Sequence, residues 1–415
     1  MILLSIARGA LLALELLLAL PLLYLVTLAV SAAIGAAIGT IRRPHSPGGK
    51  TPTSRFAIVV PAHDEELLIG TMLGSLARID YPADCYDVHI IADNCTDRTA
   101  EIAREAGVHV HERTDTDHRG KGYALSWAFN LLMNGAIHYD AYVVLDADAI
   151  VDPGLLKALA RGLARGAVAL QSQNAVLNAA ESPVSALRWL ALSLMNYIRP
   201  LGRNTLGGSS TLTGNGVCLT HELLMRHPWQ AFGLSEDYQY YLSIIASGEK
   251  VLFVPDADVR SVMPTTSRQL RTQDIRWETL NPDASAWQRR IGWRLLRDGI
   301  RRHSWVCLDA LAELLTPPLS VLGGGSIVLL IAAVVLQAPI QIALAVALIV
   351  MLAGYVASAF VLLRPPLGVY RAMIYAPAYV ARKLWIYFVL RRLRKNTASW
   401  VRTSRTAEVP ADVAP

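Results

Sequence analysis

The stretch Ala141-Tyr142-Val143-Val144-Leu145-Asp146-Ala147-Asp148 decides how the chain is expected to fold. A short apolar run bounded by polar residues is typical of a buried strand in an α/β sheet, and this one ends in two acids. Ligands of open α/β sheets bind beyond the carboxyl ends of the strands. Asp146 and Asp148 are therefore candidate ligands of a divalent cation, because Mg²⁺ is commonly held by one or two carboxylates and substrate phosphates. The structural alternative is that Asp148 and Asp152 cap a helix that begins near Pro153.

Strand-like and helix-like patterns alternate from Arg55 onward, which predicts a mostly parallel sheet covered by helices. Predicted strands lie at 56–60, 88–92, 168–173 and 251–254, besides the stretch quoted above, and helical patterns lie at 99–106 and 123–133. Polar clusters follow three of these strands, at 61–66, 93–97 and 146–148. Because the carboxyl ends of parallel strands meet at one edge, the three clusters predict a shared binding edge.

Two glycine-flanked stretches are candidate ligand contacts. Arg119-Gly120-Lys121-Gly122 opens a predicted helix, where backbone N–H groups, the helix dipole and the lysine charge suit a phosphate. A solvated turn is the alternative, and the spacing differs from that of a P-loop. Thr213-Gly214-Asn215-Gly216 is either a tight turn or a loop that a ligand approaches closely.

Two further stretches carry candidate chemistry. Glu236 and Asp237 fall in the first turn of a predicted helix that runs from Ser235 to about Ser247. There they either offset the helix dipole, or Asp237 acts as a general base that accepts a proton from an attacking hydroxyl. Helical spacing places Gln273, Arg276 and Trp277 on one face, where they could bind a diphosphate and a sugar ring or simply pack together.

The composition indicates a membrane protein. Of 415 residues, 53% are hydrophobic and 17% charged, with the apolar excess at the two ends of the chain. The net charge of +6 comes largely from arginines beside apolar segments, which favours a membrane surface over nucleic acid as the partner. The four cysteines have no zinc-like spacing and are expected to be reduced thiols in a cytoplasmic compartment.

The order of segments predicts a central domain between membrane-associated ends. The N-terminal span could instead be a cleaved signal peptide, but the stronger basic cluster follows it, which favours an uncleaved anchor. The positive-inside rule places the arginine-rich flanks in the cytoplasm. The predicted segments are an interfacial segment and transmembrane helix at 1–41, a linker at 42–54, the α/β domain at 55–283, a basic interfacial helix at 284–304, two transmembrane helices at 305–363, an interfacial helix and basic tail at 364–405, and a disordered tail at 406–415.

Seven motifs occur in a fixed order along the central domain: V-P-A-H-D-E-E, A-D-N-C-T-D-R-T, R-G-K-G, D-A-D, T-G-N-G, E-D and Q-D-I-R-W. Over residues 55–280 this set resembles the membrane-integrated family 2 glycosyltransferases, the group of cellulose, chitin, hyaluronan and poly-N-acetylglucosamine synthases. The resemblance implies a Rossmann-like GT-A nucleotide-sugar domain on the cytoplasmic side of the inner membrane, with Mg²⁺ or Mn²⁺ as cofactor. Asp64 stands where this family more often has Asn, and about three spans are few for a synthase that threads a polymer across the bilayer.

The resemblance also implies roles for individual residues. Asp237 would be the base of an inverting transfer, and Asp146 and Asp148 would hold the ribose and the metal ion on the UDP diphosphate. The uridine and diphosphate pocket would be lined by Ala62, His63, Glu65, Asp93 and Lys121. The acceptor and UDP would be supported by Gly214, Asn215, Glu236, Gln273, Arg276 and Trp277.

Three functions follow as alternatives. The first is transfer from a UDP-sugar to a growing cell-surface or exported polysaccharide, with synthase or export subunits as partners. The second is addition of one sugar to a polyprenyl phosphate or lipid-linked oligosaccharide. The third, of another class, is a non-catalytic UDP-binding scaffold subunit. Separately, His109 and His111 share a face of a predicted strand and could bind a metal ion, although the sequence identifies no third ligand.

Overall fold

The computed structural model describes residues 2–42, 53–233, 235–263, 265 and 282–393. Within these residues, eight strands form one sheet in the order β3-β2-β1-β4-β7-β6-β8-β5. The strands are β1 Phe56–Ala62, β2 Tyr86–Asp93, β3 His109–Arg113, β4 Ala141–Val144, β5 Ala149–Val151, β6 Ala169–Val176, β7 Val217–Thr220 and β8 Val251–Ser261.

The strand directions confirm the α/β class and add an antiparallel part. Strands β1 to β4 are parallel, as predicted, whereas β7 runs antiparallel to both β4 and β6. Strand β8 is parallel to β6, and β5 pairs antiparallel with β8. Because β6 points the same way as β4, the carboxyl ends of β1, β2, β4, β6 and β8 lie at the same edge of the sheet.

Helices cover both faces of the sheet and form the two ends of the described part of the chain. Their bounds are α1 Ile2–Arg42, α2 Ile69–Leu76, α3 Thr99–Glu105, α4 Lys121–Met133, α5 Leu155–Leu163, α6 Pro183–Ser193, α7 Arg199–Thr205, α8 His221–Arg226, α9 Glu236–Ala246, α10 Pro282–Arg301, α11 Trp305–Leu315, α12 Leu319–Val335, α13 Pro339–Leu363, α14 Leu367–Ala372 and α15 Ala376–Leu393. A π-helix, Leu194–Ile198, joins α6 to α7.

Alternating side chains of the central strands build two cores, one on each face. In β1, Ala57 and Val59 join the core formed with α4, α8, α9, α10 and α11. Phe56, Ile58 and Val60 point the other way and pack with α2, α3 and α5. Burial on both faces explains the nearly continuous apolar runs, and it fixes the edge at which the polar loops meet.

The terminal helices form a third core. Within the described residues, Ile2–Gly39 and Pro339–Leu363 are long and apolar enough to cross a membrane. The pair Trp305–Leu315 and Leu319–Val335 would pass the same test together but is bent by 64°, at the Pro317-Pro318 pair, where the sequence predicts an interruption. Helix α1 is continuous from Ile2 to Arg42, so it shows no break between the predicted interfacial segment and span.

The α/β domain packs directly on this third core. Gly202 on α7 lies so close to the backbone carbonyl of Leu28 on α1 that a Cβ atom would overlap it. The apolar side of α10 is covered by protein, because Ile291 and Leu295 are buried in the core with α9 and α11. Trp293, which is 71% exposed, and the arginines remain on the outside, so the interfacial placement of this helix stays a prediction.

Candidate active site

The loop after β4 and the Thr213–Gly216 loop are joined by hydrogen bonds. The backbone N–H of Asp146 donates to Oδ1 of Asn215 at 3.1 Å, and the N–H of Gly216 donates to the carbonyl of Val144 at 2.9 Å. The Nδ2 of Asn215 in turn donates to Oγ of Ser261, at the end of β8, at 3.2 Å. The two predicted motifs are therefore parts of one rigid edge.

Lys121 ties α4 to this edge. Its ammonium group is ion-paired with the carboxylate of Asp146 and donates to the carbonyl of Gly214 at 2.6 Å. Gly120 has a φ of +121°, which favours glycine and lets the chain turn into α4. The helix begins at Lys121, two residues before the predicted start.

The acidic pair of α9 reaches the same place. Glu236 and Asp237 open the helix, as predicted, and Ser235 is the N-cap residue. A Cβ atom on Gly214 would lie 3.1 Å from Oδ2 of Asp237 and 3.5 Å from Nζ of Lys121. Gly214 therefore sits between the ammonium group and the carboxylate, so that loop, α4 and α9 meet at one point.

Burial and mutual repulsion perturb the acids at this point. Burial, strengthened by the charge of Asp237, raises the pKa of Glu236 to about 7. Burial also raises the pKa of Asp237, although the charge of Lys121 opposes the shift. Burial alone would lower the pKa of Lys121, but the nearby Asp146 and Glu236 raise it. Perturbed carboxylates around one cation in a loop region are typical of functional sites.

Asp146 and Asp148 fit a hard divalent cation. Both are half-buried at the carboxyl end of β4, and carboxylate oxygens are the ligands that Mg²⁺ and Mn²⁺ prefer. The capping alternative is wrong for Asp148, since α5 begins only at Leu155. Asp152 does not cap α5 either, since the N-cap residue is Gly154 and the helix has no side-chain cap bond. It supports the turn before the helix, because its Oδ1 accepts from the N–H of Gly154 at 2.8 Å.

A second group of residues, predicted to line the uridine and diphosphate pocket, lies at the ends of β1 and β2. Nδ1 of His63 donates to the carbonyl of Asp93 at 2.7 Å, which joins the two strand ends beside Ala62. The carboxylate of Asp93 accepts from the buried Arg113 at 2.6 Å and from Asn94 at 3.1 Å. Arg113 was not among the predicted residues, because nothing in H-E-R marks a cation that will orient an acid twenty residues earlier.

The loops beyond these strands hold a further set of ligand atoms. Asp64, Cys95 and Asp97 place one ligand atom each within 4.8 Å of one another. Their carboxylates already bind the loops, however: Oδ1 of Asp64 accepts from the N–H of Thr96 at 2.7 Å, and Oδ1 of Asp97 accepts from the N–H of Thr99 at 3.0 Å. Glu65 is also predicted to line the uridine and diphosphate pocket, and its backbone N–H donates to Oγ1 of Thr99 at 2.8 Å.

Two more supporting residues escaped the sequence analysis. Gln171 on β6 holds the Thr213–Gly216 loop from both sides: its Oε1 accepts from the N–H of Thr213 at 2.9 Å and its Nε2 donates to the carbonyl of Asn215 at 2.8 Å. Ser261 is the second. Gln273, Arg276 and Trp277 lie outside the described residues, so their roles stay predictions.

Comparison with known proteins agrees with this architecture. The family model described as "Glycosyltransferase like family 2" matches residues 52–279, more than half of the chain. The chain is 24% identical over 232 residues to the probable glycosyltransferase YdaM of Bacillus subtilis (strain 168), covering 54% of each. It is 30% identical over 230 residues to the beta-monoglucosyldiacylglycerol synthase of Nostoc sp. (strain PCC 7120 / SAG 25.82 / UTEX 2576), covering 53% of this chain and 47% of the relative.

A solved structure shows the same fold. The mannosyltransferase PcManGT from Pyrobaculum calidifontis, in complex with GDP-Man and Mn²⁺, aligns with a TM-score of 0.51 at 19% identity. The alignment covers 86% of this chain and 98% of that one. The chain spans about half the length of the curated relatives it matches.

The sheet and its polar edge thus define an α/β domain of the GT-A type, as the sequence predicts. The chain belongs to glycosyltransferase-like family 2.

Proposed function

We propose that this protein is a membrane-attached, inverting glycosyltransferase that uses a UDP-sugar as donor. The observation that carries the proposal is the meeting of Lys121, Asp146 and Asp237 around Gly214. This arrangement offers a cation for phosphate, an acid for a metal ion and a second acid for an attacking hydroxyl, which are the groups that the transfer needs.

The roles follow from position. Asp237 accepts the proton of the acceptor hydroxyl as that oxygen attacks the anomeric carbon, and the nucleoside diphosphate leaves. Lys121 binds the departing diphosphate, while Glu236, Gly214 and Asn215 shape the space beside it. A divalent cation held by Asp146 and Asp148 supplies charge stabilisation to the diphosphate when it is bound.

The donor and acceptor contacts complete the proposal. Ala62, His63, Glu65 and Asp93, at the ends of β1 and β2, form the nucleotide side of the edge. Gln273, Arg276 and Trp277 contact UDP and the acceptor sugar.

The proposed location is the inner membrane, with the α/β domain in the cytoplasm. Two described helices have the length and composition of membrane spans, and the α/β domain packs on them. The arginine-rich sequence next to the spans indicates which side faces the cytoplasm.

We place the acceptor at the membrane surface, as a lipid or a lipid-linked glycan that receives one sugar. Similarity to beta-monoglucosyldiacylglycerol synthases supports a lipid acceptor, and the small number of described spans also favours single addition. Extension of a cell-surface polysaccharide, which the synthase-like motifs suggest, is the second candidate. A non-catalytic scaffold would have no need of Asp146, Asp148 and Asp237 together.

A transfer assay tests the proposal. Membranes that contain the full chain are incubated with radiolabelled UDP-glucose, UDP-galactose or UDP-N-acetylglucosamine, with Mn²⁺ or with a chelator. We expect release of UDP and labelling of the lipid fraction for one of these donors, only with the metal ion, and a product one sugar longer than the acceptor. Polymeric product would favour the second candidate, and no UDP release with any nucleotide sugar would contradict the proposal.

A further inference from the structure

A polar cavity lies beside strands β6 and β8, outside the predicted site. Its volume is about 190 Å³, and it lies between β6, β8, the segment from α6 into the π-helix, and the last residue of α13. Its lining includes Gln173, Asn174, Trp189, Asn196, Asp258 and Arg260. None of these residues belongs to a motif that the sequence analysis singled out.

The two strands that line the cavity, β6 and β8, also hold the Thr213–Gly216 loop. Gln171, which holds the Thr213–Gly216 loop, comes two residues before the lining residue Gln173 on β6. Ser261, which binds Asn215 of the same loop, directly follows the lining residue Arg260 on β8. The cavity therefore lies along the same two strands, β6 and β8, whose residues hold the Thr213–Gly216 loop.

The opposite wall of the cavity is at the end of a candidate membrane span. Leu363 lines the cavity and is the last residue of α13, and Arg364 follows it directly. The ring of Trp189 packs against Phe360 on α13 with centroids 6.5 Å apart. Tryptophan beside the end of an apolar helix is typical of the membrane–water interface. The cavity therefore lies where lipid head groups would lie if α13 crosses the bilayer.

The π-helix contributes directly to the lining. Asn196 and Tyr197 both belong to Leu194–Ile198 and both line the cavity. The Nδ2 of Asn196 donates to the carbonyl of Asn174 at 3.2 Å, which fixes its amide at the wall. Single π-helical turns are rare interruptions of regular α-helices, and they occur frequently at functional sites.

The chemistry of the lining is polar but balanced in charge. Asp258 and Arg260 form an ion pair at 2.6 Å, and the amides and the indole are neutral. The Oδ1 atom of Asp258 is buried and has no hydrogen-bond partner among the described residues. A phosphate group would meet this carboxylate, whereas a hydroxyl group would donate to it. Amides, a carboxylate and an aromatic ring together are suited to a polyhydroxylated molecule.

We infer that this cavity binds the uncharged, hydroxyl-bearing head group of a membrane lipid, a glycerol or a sugar, and that this lipid is the acceptor. The inference rests on the proposed function and narrows the class of acceptor, because a carboxylate in the cavity disfavours the charged head group of a polyprenyl phosphate. The head group lies against Trp189 and donates to Asp258, so that a free hydroxyl faces Asp237 while the acyl chains remain beside α13.

The test uses the full chain in lipid nanodiscs, with diacylglycerol, a monohexosyl diacylglycerol, polyprenyl phosphate or a soluble glycoside as acceptor. Asp258→Asn keeps the shape but removes the charged acceptor of the hydrogen bond, and Trp189→Phe removes part of the ring. We expect each change to raise the KM for the lipid acceptor about tenfold. The affinity for UDP and the slow hydrolysis of the UDP-sugar should stay unchanged. The matched control is Asp256→Asn, an exposed acid two residues earlier on β8, which should leave all three quantities unchanged.

Each outcome decides a separate point. An unchanged acceptor KM in both variants would overturn the inference and leave the proposed function intact. Transfer to polyprenyl phosphate or to the soluble glycoside, without transfer to either glycerolipid, would also overturn it. Loss of UDP binding in Asp258→Asn would show that the residue acts through the catalytic loop, which likewise contradicts a head-group site. Failure of the wild-type chain to bind UDP or to release it from any UDP-sugar would instead contradict the proposed function.

Discussion

Among the described residues, two clusters of charged side chains differ in their ratio of acids to cations. The open cluster consists of Lys121, Asp146, Glu236 and Asp237, where three carboxylates surround one ammonium group. The paired cluster consists of Arg199, Arg203, Asp309 and Glu313 between α7 and α11. There each arginine has its own carboxylate, Glu313 at 2.9 Å and Asp309 at 2.8 Å.

Tyrosine hydroxyls complete the paired cluster. Tyr24 on α1 bonds Asp309 at 3.0 Å, Tyr241 accepts from Arg203 at 2.8 Å, and Tyr355 on α13 accepts from Arg199 at 3.0 Å. Helix α9 connects the two clusters, since Asp237 is in its first turn and Tyr241 is one turn further. Matched charges hold the α/β domain on the terminal helices, whereas among the described residues the acids at the sheet edge outnumber the cations. The difference indicates that the balance of charge, more than its burial, distinguishes the proposed binding site from the structural cluster.

The largest effect is expected from a substitution that disrupts the open cluster. Asp237→Asn should lower the turnover of the UDP-sugar about 10³-fold, because the amide does not accept the acceptor's proton. UDP affinity should remain within about twofold of the wild type, and isothermal titration measures it. The matched control is Glu222→Gln, another first-turn acid, on α8, whose side chain is 75% exposed. Equal small losses in both variants would mean that Asp237 serves only the helix dipole.

The next largest effect is expected from a substitution that disrupts the paired cluster. Arg203→Met should lower the free energy of unfolding by about 3 kcal/mol, because it leaves the buried Asp309 without its partner. Replacing both, Arg203→Met with Asp309→Leu, should recover most of that loss. Thermal denaturation in detergent measures both effects. If the single variant were as stable as the wild type, the cluster would have no role in holding the α/β domain on the terminal helices.

A histidine that is buried without a charge sharpens the comparison: the side chain of His89 is buried between Tyr139 and His111. Tyr139 donates to Asp87 at 2.9 Å, so it accepts from Nε2 of His89 at 3.0 Å. Because burial lowers the pKa of His89 to about 4, the ring is neutral at pH 7, and its Nδ1 then accepts from Nε2 of His111 at 3.1 Å. The rings of His89 and His109 stack at 4.9 Å. The sequence identified no third metal ligand beside His109 and His111, and His89 is the neighbouring histidine. Its Nδ1 is hydrogen-bonded to Nε2 of His111, so the structure gives no support for a metal site at these histidines.

This histidine group predicts how stability depends on pH. Burial, followed by the charges of His109 and His111, lowers the pKa of His89 to about 4. Since the unfolded chain binds the proton near 6.5, stability is complete above that pH and is lost as the pH falls towards about 4. The expected loss is about 2 kcal/mol, and His89→Gln should remove this slope between pH 6.5 and 4.5. Exposed His138→Gln is the control. An unchanged slope in His89→Gln would contradict the neutral assignment.

The smallest effect concerns the glycine inside the open cluster. Gly214 (φ +76°) and Gly207 (φ +83°) share a backbone conformation that an L side chain adopts with difficulty, but only at Gly214 would a Cβ meet Asp237 and Lys121. Alanine at either position should cost about 1 kcal/mol of stability. Only Gly214→Ala should also lower kcat, severalfold. Equal kcat in the two variants would show that the contact with Asp237 has no bearing on transfer.

The part of the molecule that the sequence predicts is the part built from local patterns. Short apolar runs that alternate with helical patterns indicated the parallel strands, and the polar residues directly after these runs indicated the binding edge. Strands β5 and β7 were missed: they are three and four residues long, too short for a period of two to stand out. The equally short β4 was recognised because its apolar run continues through Leu145 and ends in two acids. The apolar ends were recognisable from length and composition alone.

The remaining features depend on pairings between distant residues. Arg203 and Asp309 are 106 positions apart, and Gln171 reaches the loop around Thr213 across 42 positions. A polar residue gives no local sign of such a partner, so these side chains read as ordinary surface residues. The cavity beside Trp189 was likewise hidden, because the π-helix that lines it follows from packing and not from any helical period.

The central claim is that the excess acid of the open cluster is completed by a metal ion and a nucleotide diphosphate. Isothermal titration of UDP into the full chain, with Mn²⁺ and with a chelator, tests it directly in the wild type and in Asp146→Asn. The account predicts one UDP bound per chain in the presence of Mn²⁺, and affinity at least about tenfold weaker with the chelator or in the variant. Equal UDP affinity in all these conditions, or no UDP binding with Mn²⁺, would contradict it.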